Sequence, residues 1–287
     1  MKRVCVIYNP FAGSAPWIHE LKEEFNQQQL NAVFVPVQAD LSKQINKFIK
    51  QGIDTFVAAG GDGTIHSAVQ ELVDTNCKLG VLPVGTLNHF AKDLSIPIDV
   101  KAAIAVIAKG RTEKVDVAEV NGQAFVNNSS IGIYPHIVRT RRLFHAFIGK
   151  WPALISASLF VLLRPPRYRL NLVVDGKKVS CTSPFVFVGN NSYKISKTGF
   201  TNRASLNSGL LSIYVVRSDS RKKILQLFFK AMLGVANSDQ NFSQYHVPAL
   251  TIHSRRPRIS VSLDGEVKRL KTPLKYSLKP QSLNVII

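Results

Sequence analysis

Apolar residues follow two alternating patterns along the first 130 residues. Short apolar runs are each followed, after a loop, by a segment whose apolar residues lie three or four positions apart. The first pattern is typical of buried strands and the second of amphipathic helices. Such alternation predicts a layered α/β domain with a parallel sheet, which binds ligands at the loops after its strands. The predicted strands are 4–8, 32–37, 55–59 and 78–82, and the predicted helices are 17–29, 41–51, 65–74 and 100–109.

Strand-like runs dominate beyond about residue 115. Val174-Asp175-Gly176-Lys177 is a hairpin-turn signal, so these runs predict a mainly antiparallel β-sandwich, interrupted by helical segments at 135–163 and 220–233. We expect an α/β domain at 1–128, a β-rich domain at 129–280, and a C-terminal strand at 281–287 that returns to the first domain. The predicted strands are 116–120, 124–128, 169–174, 185–189, 210–216, 249–254, 258–263 and 274–277.

Charge distinguishes the two halves of the chain. The 287 residues carry a net charge of +19, yet residues 1–130 hold 12 Lys and Arg against 13 Asp and Glu. The remaining residues hold 25 basic and only 5 acidic side chains. A basic half indicates an anionic partner, either membrane lipid or nucleic acid.

Cysteine spacing and hydropathy bear on the compartment. Cys5, Cys77 and Cys181 are far apart, which favours a reducing cytoplasm. The longest apolar run, 151–163, has 13 residues, whereas a membrane span needs about 20. Basic residues flank this run, as in interfacial helices, although core helices share the pattern. We expect a cytoplasmic protein that attaches reversibly to the inner face of the membrane.

The segment Gly60-Gly61-Asp62-Gly63-Thr64 lies between a predicted strand and a predicted helix. Glycines allow close approach of a ligand, and the free amides of a helix start favour an anion. The segment therefore predicts a phosphate site, in which Asp62 holds Mg²⁺ through water. The alternative is an ordinary turn in which Asp62 or Thr64 only caps the helix.

Two further loops follow predicted strands of the same sheet. They are Asn9-Pro10-Phe11-Ala12-Gly13 and Pro83-Val84-Gly85-Thr86-Leu87-Asn88. A triphosphate contacted from several loops needs them at one edge of a sheet, which is where successive parallel strands place them. His66, in the predicted helix after the glycine segment, is placed near the same phosphate.

Acidic residues are rare in the basic half, and two of the five form Asp264-Gly265-Glu266. One interpretation is a strand-ending turn. The other is a carboxylate base that takes the proton of a substrate hydroxyl.

Together these motifs resemble the diacylglycerol kinase and sphingosine kinase catalytic family, in particular its bacterial soluble lipid kinases. The resemblance covers nearly the whole chain and includes the stretch Asn127-Asn128-Ser129-Ser130-Ile131-Gly132. It implies an N-terminal half like that of NAD kinases and a C-terminal β-sandwich that helps to form the lipid site. The implied reaction moves the γ-phosphoryl group of ATP, with Mg²⁺, to diacylglycerol or a related lipid alcohol.

The resemblance also implies roles for single residues. Asp264 is the implied general base, and Glu266 could share that role. Asp62 and Asp116 are the implied carboxylates of the magnesium–water network. The implied nucleotide-binding residues are Asn9, Pro10, Gly13, Gly60, Gly61, Asp62, Gly63, Thr64, His66, Gly85, Thr86 and Asn88.

Two departures from the family pattern stand out. His89 occupies a position where the family commonly has an acid, and imidazole does not replace a carboxylate around Mg²⁺. The stretch Leu206-Asn207-Ser208 lacks the carboxylates that often bind a structural metal, so we expect that second site to be empty.

Three alternatives remain open at this point. An NAD kinase would share the glycine loop, and a catalytically inactive, nucleotide-dependent membrane-binding protein would fit His89. Nucleic-acid binding would need aromatic residues among the basic ones on a sheet face, a pattern that is not clear here. The expected partners are a lipid substrate and an anionic membrane, with a homodimer left open.

Overall fold

The chain divides into two compact units in a computed structural model. The model describes residues 2–10, 18–37, 41–148, 150–196, 199–203, 205–218, 220, 222–224, 226 and 241–287. Unit 1 comprises Met1–Val117, Ala124–Val126 and Lys279–Ile287, and unit 2 comprises Ala118–Gln123 and Asn127–Leu278. The domains expected from the sequence were 1–128, 129–280 and 281–287, so the units differ from them mainly at 118–123.

Unit 1 is built on a parallel sheet. Its elements include β1 (Lys2–Tyr8), α1 (Ile18–Gln27), β2 (Leu30–Pro36), α2 (Leu41–Lys50), β3 (Thr55–Gly60), α3 (Asp62–Leu72), β4 (Lys78–Pro83), α4 (His89–Asp93), α5 (Val100–Lys109) and the end of β18 (Leu274–Ile286). The strands lie in the order β2-β1-β3-β4-β18, and each neighbouring pair is parallel. Every residue of β3 is buried, as expected for a strand covered on both faces.

Local sequence explains how the helices of unit 1 begin and face the sheet. Helix α2 buries Leu41 and Ile45, four positions apart on one face. The Asp99 carboxylate caps α5 by accepting a hydrogen bond from Ala102 N at 2.9 Å. Gly110 ends α5 in the left-handed conformation that favours glycine.

Unit 2 contains antiparallel sheets and a helical pair. Its elements are β7 (Asn128–Gly132), α6 (Ile133–Ile148), α7 (Lys150–Leu163), β8 (Tyr168–Val174), β9 (Lys177–Ser183), β10 (Phe185–Asn190), β11 (Tyr193–Ser196), β12 (Gly199–Arg203), β13 (Leu211–Val216), β14 (Phe242–Val247), β15 (Ala249–Ser254), β16 (Arg258–Leu263), β17 (Glu266–Lys271) and the start of β18. One sheet has the order β14-β13-β10-β7-β16-β17, and β18-β15-β8-β9 form another antiparallel set. The predicted fold class, an α/β domain plus an antiparallel β-sandwich, is confirmed.

Three two-residue turns join neighbouring strands with both central residues at positive φ. They are Asn121-Gly122, between β5 (Thr112–Val120) and β6 (Gln123–Phe125), Asp175-Gly176 and Asp264-Gly265. This is the geometry of type I′ hairpins, for which Asn-Gly and Asp-Gly are preferred. The turn interpretation of Asp264-Gly265 is therefore correct as far as the backbone is concerned.

Several strands of unit 2 differ from the strands predicted from the sequence. The predicted strand 124–128 is divided between β6 and β7, and the predicted strand 274–277 continues to residue 286 as β18. Strands β9, β11, β12, β14 and β17 were not predicted. In β9, β14 and β17 few residues are buried, and their polar positions mask the alternation. Of the predicted helix 220–233, only residues 220, 222–224 and 226 lie in the described part of the chain.

Candidate functional site

Asn9 and two loops that the sequence singled out lie at the carboxyl edge of the unit 1 sheet. Asn9 follows β1 directly and donates its backbone N–H to Ala59 O of β3 at 3.2 Å. Strand β3 also pairs with β4, and Gly60 at the end of β3 lies opposite Pro83 at the end of β4. The strand order also reverses between β1 and β3, since β2 lies on one side of β1 and β3 on the other. Open α/β sheets bind their ligands at this reversal point, outside the carboxyl ends of the strands.

Two glycines let the loops after β3 and β4 touch through their backbones. A Cβ atom at Gly85 would lie 2.3 Å from Gly61 Cα and 3.0 Å from Gly61 N. No ordinary carbon atom fits at those distances, so a side chain at position 85 would force the loops apart. A Cβ at Gly61 would lie 3.5 Å from Gly85 Cα, an ordinary contact.

Asn88 holds the loop after β4 in its conformation. Its Oδ1 accepts a hydrogen bond from Gly85 N at 3.1 Å, and its Nδ2 donates to Pro83 O and Gly85 O, both at 2.9 Å. The residue is buried and adopts a left-handed backbone, which asparagine tolerates better than most residues. Asn88 therefore fixes the position of Gly85 and Thr86 at the sheet edge.

Asp62 opens helix α3 at the same edge. The N-cap residue is Gly61, and no side chain caps the helix, so the alternative in which Asp62 or Thr64 serves as the cap is wrong. The Asp62 carboxylate is half-buried and its Oδ1 lies 3.5 Å from Phe90 N of α4. An oxygen ligand thus lies beside backbone amides that favour a phosphate.

Asp116 and His66 are predicted site residues whose ionisable side chains are buried. Asp116, on β5, is 2% exposed, and its Oδ1 accepts a hydrogen bond from Gln281 N at 2.8 Å. His66 is 3% exposed within α3. The role of Asp116 in a magnesium network stays a prediction, and so does the position of His66 near the phosphate.

The other predicted nucleotide-binding residues differ in their exposure to solvent. Pro10 and Thr86 are exposed, Gly60 and Thr64 are buried, and Gly63 is half-buried. Gly13 lies outside the described residues. His89, where the family commonly has an acid, is exposed at the start of α4.

The donor set of unit 1 suits Mg²⁺ that arrives with a nucleotide. In the part of the chain that the structure describes, no three His, Cys, Asp or Glu side chains cluster to hold a metal ion. Mg²⁺ usually keeps several waters and binds one or two carboxylates together with substrate phosphates. A half-buried Asp62 beside a phosphate-suited backbone fits that mode, and it needs no cage of protein ligands.

Asp264 is held rigidly within unit 2. Its Oδ1 accepts hydrogen bonds from Asn127 N at 2.8 Å and Asn128 N at 3.0 Å, and its own N–H donates to Asn128 O at 2.9 Å. The turn of Asp175, which has the same backbone geometry, is exposed. Asp264 thus differs from an ordinary turn aspartate because two main-chain amides orient its carboxylate. Glu266, at the start of β17, is exposed.

The sequence did not reveal what positions Asp264. Tyr193 donates its hydroxyl to Asn127 O at 2.7 Å. This hydrogen bond fixes the backbone of Asn127, whose N–H binds the Asp264 carboxylate. Tyr134, at the start of α6, is a further neighbour, since a Cβ at Gly265 would lie 3.7 Å from Tyr134 Oη. Asn127 and Asp264 are separated by 137 positions, so no local signal could have paired them.

The remainder of the Asn127–Gly132 motif has a structural role. Buried Ser129 Oγ lies 3.0 Å from Tyr276 Oη, and burial raises the pKa of that tyrosine, so the hydroxyl remains protonated at neutral pH. Gly132 has a φ of +97°, and a Cβ there would lie 1.9 Å from Pro184 O. The motif therefore packs β7 at the centre of its sheet, where it carries the amides that hold Asp264.

The loop at Asn207 and Ser208 is closed by an amide side chain. Asn191 Oδ1 accepts hydrogen bonds from both N and Oγ of Ser208, each at 2.7 Å. This is the stretch in which the family often has carboxylates for a structural metal.

Helix α7 exposes one apolar face. Its buried stripe consists of Ala153, Ala157 and Val161, four positions apart, and α7 packs on α6. Its exposed apolar side chains are Ile155, Leu159, Phe160 and Leu163, with Ile155 at 67% exposure. The described helices include none that is both long and apolar enough to cross a membrane.

Comparison with known families matches both parts of the chain. Residues 3–120 match the diacylglycerol kinase catalytic domain, and residues 151–287 match the YegS C-terminal NAD kinase beta sandwich-like domain. The resemblance inferred from the sequence motifs is thereby confirmed.

Individual relatives extend over most of the chain. Diacylglycerol kinases of two Staphylococcus aureus strains, bovine RF122 and MRSA252, are each 24% identical over 273 residues, which is 92% of this chain and 86% of theirs. A crystal structure described as a diacylglycerol kinase from Bacillus anthracis strain Sterne has a TM-score of 0.75 at 24% identity. It covers 99% of this chain and 96% of that one. A second crystal structure from that strain has a TM-score of 0.77 and covers 99% and 97%. At this identity the solved structures establish the fold.

Proposed function

Since residues 3–120 match the diacylglycerol kinase catalytic domain and residues 151–287 match the YegS C-terminal NAD kinase beta sandwich-like domain, we propose that this protein is an ATP- and Mg²⁺-dependent lipid kinase. Its acceptor is the hydroxyl of diacylglycerol or a related lipid alcohol. One observation carries the proposal. Asn9, directly after β1, and the loops after β3 and β4 lie at the carboxyl edge of one parallel sheet, next to its reversal point, and the backbones of Gly61 and Gly85 are in contact there.

The nucleotide is assigned to that sheet edge. The amides that begin α3 face the phosphates, and Asn88 keeps Gly85 and Thr86 in place by its three hydrogen bonds. Asp62 would hold Mg²⁺ through water, with Asp116 in the surrounding network. When bound, the ion would neutralise charge on the phosphate oxygens. The remaining contribution of this chain is positioning, which supplies most of the catalysis in phosphoryl transfer.

Asp264 is assigned as the general base. In the reaction, the acceptor O–H bond breaks and its proton passes to the Asp264 carboxylate. The acceptor oxygen forms a bond to the γ-phosphorus, the bond from that phosphorus to the bridging oxygen breaks, and ADP leaves. The two amides on Oδ1 keep the carboxylate in one orientation, so it does not need to reorganise when the hydroxyl arrives.

Membrane attachment is the second part of the proposal. The exposed apolar face of α7 is followed by Arg164, Arg167 and Arg169, and Arg164 lies over the Phe160 ring at 6.0 Å. An apolar face bordered by arginines suits the interface of an anionic bilayer, where each basic residue contributes about 1 kcal/mol. We propose that the protein works in the cytoplasm and binds the inner membrane surface reversibly through this face.

A panel of acceptors tests the proposed function. The purified protein is incubated with γ-labelled ATP and Mg²⁺ and with diacylglycerol, other lipid alcohols or NAD in mixed micelles. We expect label on one or more lipid alcohols and none on NAD. Label on NAD alone would identify an NAD kinase, and background on every acceptor would identify a protein without kinase activity.

A further inference from the structure

Unit 2 contains a cationic cavity that the proposed chemistry does not use. Its volume is about 670 Å³. Among its described lining residues, five are positively charged and none is acidic. We call this set the cationic cavity, and its charged members are Arg139, Arg256, Arg258, Arg269 and Lys271.

The hairpin of β16 and β17 supplies three of these charges. Arg258 lies directly opposite Lys271, and Ser260 lies directly opposite Arg269. Directly opposed residues, and residues two apart on one strand, share a face of the hairpin, so all four side chains share one face. Like charges in direct opposition cost stability, which an anionic ligand would offset.

Helix α6 packs over this hairpin and adds His136 and Arg139. Arg139 Nη1 lies 3.5 Å from Ser260 Oγ, so the helix and the strand border the same space. The burial of His136, together with Arg139 and Arg256, holds the pKa of its imidazole below the usual 6.5. At neutral pH the imidazole is therefore uncharged, and the arginines and the lysine supply the positive charge.

Tyr168 and Arg256 form the remaining wall. Tyr168 is 3% exposed, and its Oη lies 3.1 Å from His136 Nε2. The Arg256 guanidinium lies over the Tyr168 ring, 4.5 Å from the centroid. A guanidinium held by stacking on a buried ring loses less conformational freedom when it binds a ligand.

The cationic cavity lies at the opposite end of the hairpin from the proposed base. Asp264 is in the turn that joins β16 and β17, whereas Arg258 and Lys271 pair at the open end. Arg258 is six positions before Asp264, which corresponds to about 20 Å of strand, and Ser260, which also lines the cavity, is four positions before it, or about 13 Å. A ligand in the cationic cavity is thus distinct from the hydroxyl that Asp264 would activate.

We infer that the cationic cavity is a binding site for a phosphate-bearing anion. Guanidinium groups match phosphate oxygens with paired, charge-assisted hydrogen bonds, and the cavity offers four of them with a lysine and a tyrosine hydroxyl. The phosphate can belong to the headgroup of an anionic phospholipid or to a soluble phosphate ester. Leu163, on the exposed face of α7, is five residues from Tyr168, so the two lie within about 18 Å of each other. That proximity favours the headgroup.

Direct binding measurements on the whole protein test the inference. The cavity variant Arg256→Gln/Arg269→Gln is compared with the control variant Lys177→Gln/Lys178→Gln, which removes the same charge from exposed positions of β9. Calorimetry with inorganic phosphate and with glycerol 3-phosphate, without Mg²⁺ or nucleotide, measures soluble ligands. Sedimentation with phosphatidylcholine vesicles that contain phosphatidic acid measures the headgroup, and vesicles charged to the same density with oleate measure surface charge alone.

We expect the cavity variant to lose affinity for phosphate by about tenfold or more, and the control variant by less than twofold. A matching loss on phosphatidic acid vesicles, but not on oleate vesicles, assigns the site to a headgroup. A loss confined to the soluble ligands assigns it to a phosphate ester. Equal affinities of the two variants for every ligand, or no phosphate binding by the wild-type protein, would overturn the inference.

A third variant tests whether the loss of phosphate affinity comes from unfolding. Arg269→Lys keeps the charge but removes the planar fork, and we expect an intermediate loss of phosphate affinity with an unchanged melting temperature. These assays measure binding without ATP or acceptor. Their outcome therefore does not depend on whether the protein is a kinase, and the kinase assay does not depend on whether the cavity binds phosphate.

Discussion

At the scale of single residues, the structure shows which motif positions are fixed by their surroundings. Gly85 and Gly132 are required because backbone atoms occupy the place of a side chain, and Asn88 is required because its amide bonds to the loop around it. The glycine and asparagine motifs could be located from the sequence. The residues that hold Asp264 could not, because they meet it only through the folding of β7 against the β16–β17 turn.

Gly132 provides a test of packing at this scale. In Gly132→Ala, strain at positive φ of about 1–2 kcal/mol adds to the collision with Pro184 O. We expect a total loss of unfolding free energy of at least about 4 kcal/mol, measured by denaturant titration. Gly122→Ala is the matched control, since its φ is +76° and no atom lies within 4 Å of the added Cβ. Equal losses in the two variants would contradict this packing.

His136 predicts a dependence of stability on pH. Its folded pKa lies below 6.5, so the unfolded chain binds more protons just below that pH. Stability should therefore fall as the pH decreases through the region below 6.5, because burial of the imidazole, followed by the charges of Arg139 and Arg256, opposes its protonation. His136→Gln should show a smaller loss of melting temperature between pH 7 and pH 5. An unchanged pH slope in this variant would exclude the effect.

At the scale of elements, strand and helix patterns were readable for several elements that bury one face or both faces. Strands β1, β3 and β4 and helix α5 follow the predicted spans closely, because burial on a sheet imposes a regular apolar pattern. Strands β14 and β17 escaped prediction because their side chains are largely polar and accessible. The carboxyl edge of the unit 1 sheet was predictable in the same way, since parallel strands must end on one side.

Variants at the contact between the loops after β3 and β4 distinguish an effect on stability from an effect on ATP binding. Gly85→Ala forces Gly61 away and should lower both the melting temperature and the affinity for ATP. Gly61→Ala makes only an ordinary contact in the protein, so it should keep the melting temperature and lose ATP affinity where the phosphates approach. Thermal melting and ATP titration of both variants give the comparison. Full ATP affinity in both would place the nucleotide elsewhere.

The exposed face of α7 gives a second prediction for an element. Ile155→Gln removes an apolar side chain that is 67% exposed, so the melting temperature should change little. Binding to anionic vesicles should weaken by about tenfold, which corresponds to the lost insertion of one large aliphatic group. Ile98→Gln, at a site of 51% exposure in unit 1, is the control and should bind vesicles normally. Equal binding of both variants would show that α7 does not contact the bilayer.

At the scale of the whole molecule, uneven charge and the two-part organisation were visible in the sequence. The basic excess after residue 130 corresponds to unit 2, which contains the cationic cavity and the arginines after α7. The cavity itself was not predictable. Its cations come from α6, the segment before β16 and the β16–β17 hairpin, and only the tertiary packing of unit 2 brings them together.

The role of Asp264 as the catalytic base is tested by comparing the rate of lipid phosphorylation by Asp264→Asn with that by Asp175→Asn. Both aspartates occupy the first position of a positive-φ Asp-Gly turn, but only Asp264 has its carboxylate oriented by two backbone amides. With the best lipid acceptor of the panel, Asp264→Asn should lower kcat by about 10²–10⁴, since asparagine keeps an oxygen acceptor but takes no proton. Asp175→Asn should retain the wild-type rate. If Asp264→Asn phosphorylates lipid as fast as the wild-type protein, Asp264 is not the catalytic base.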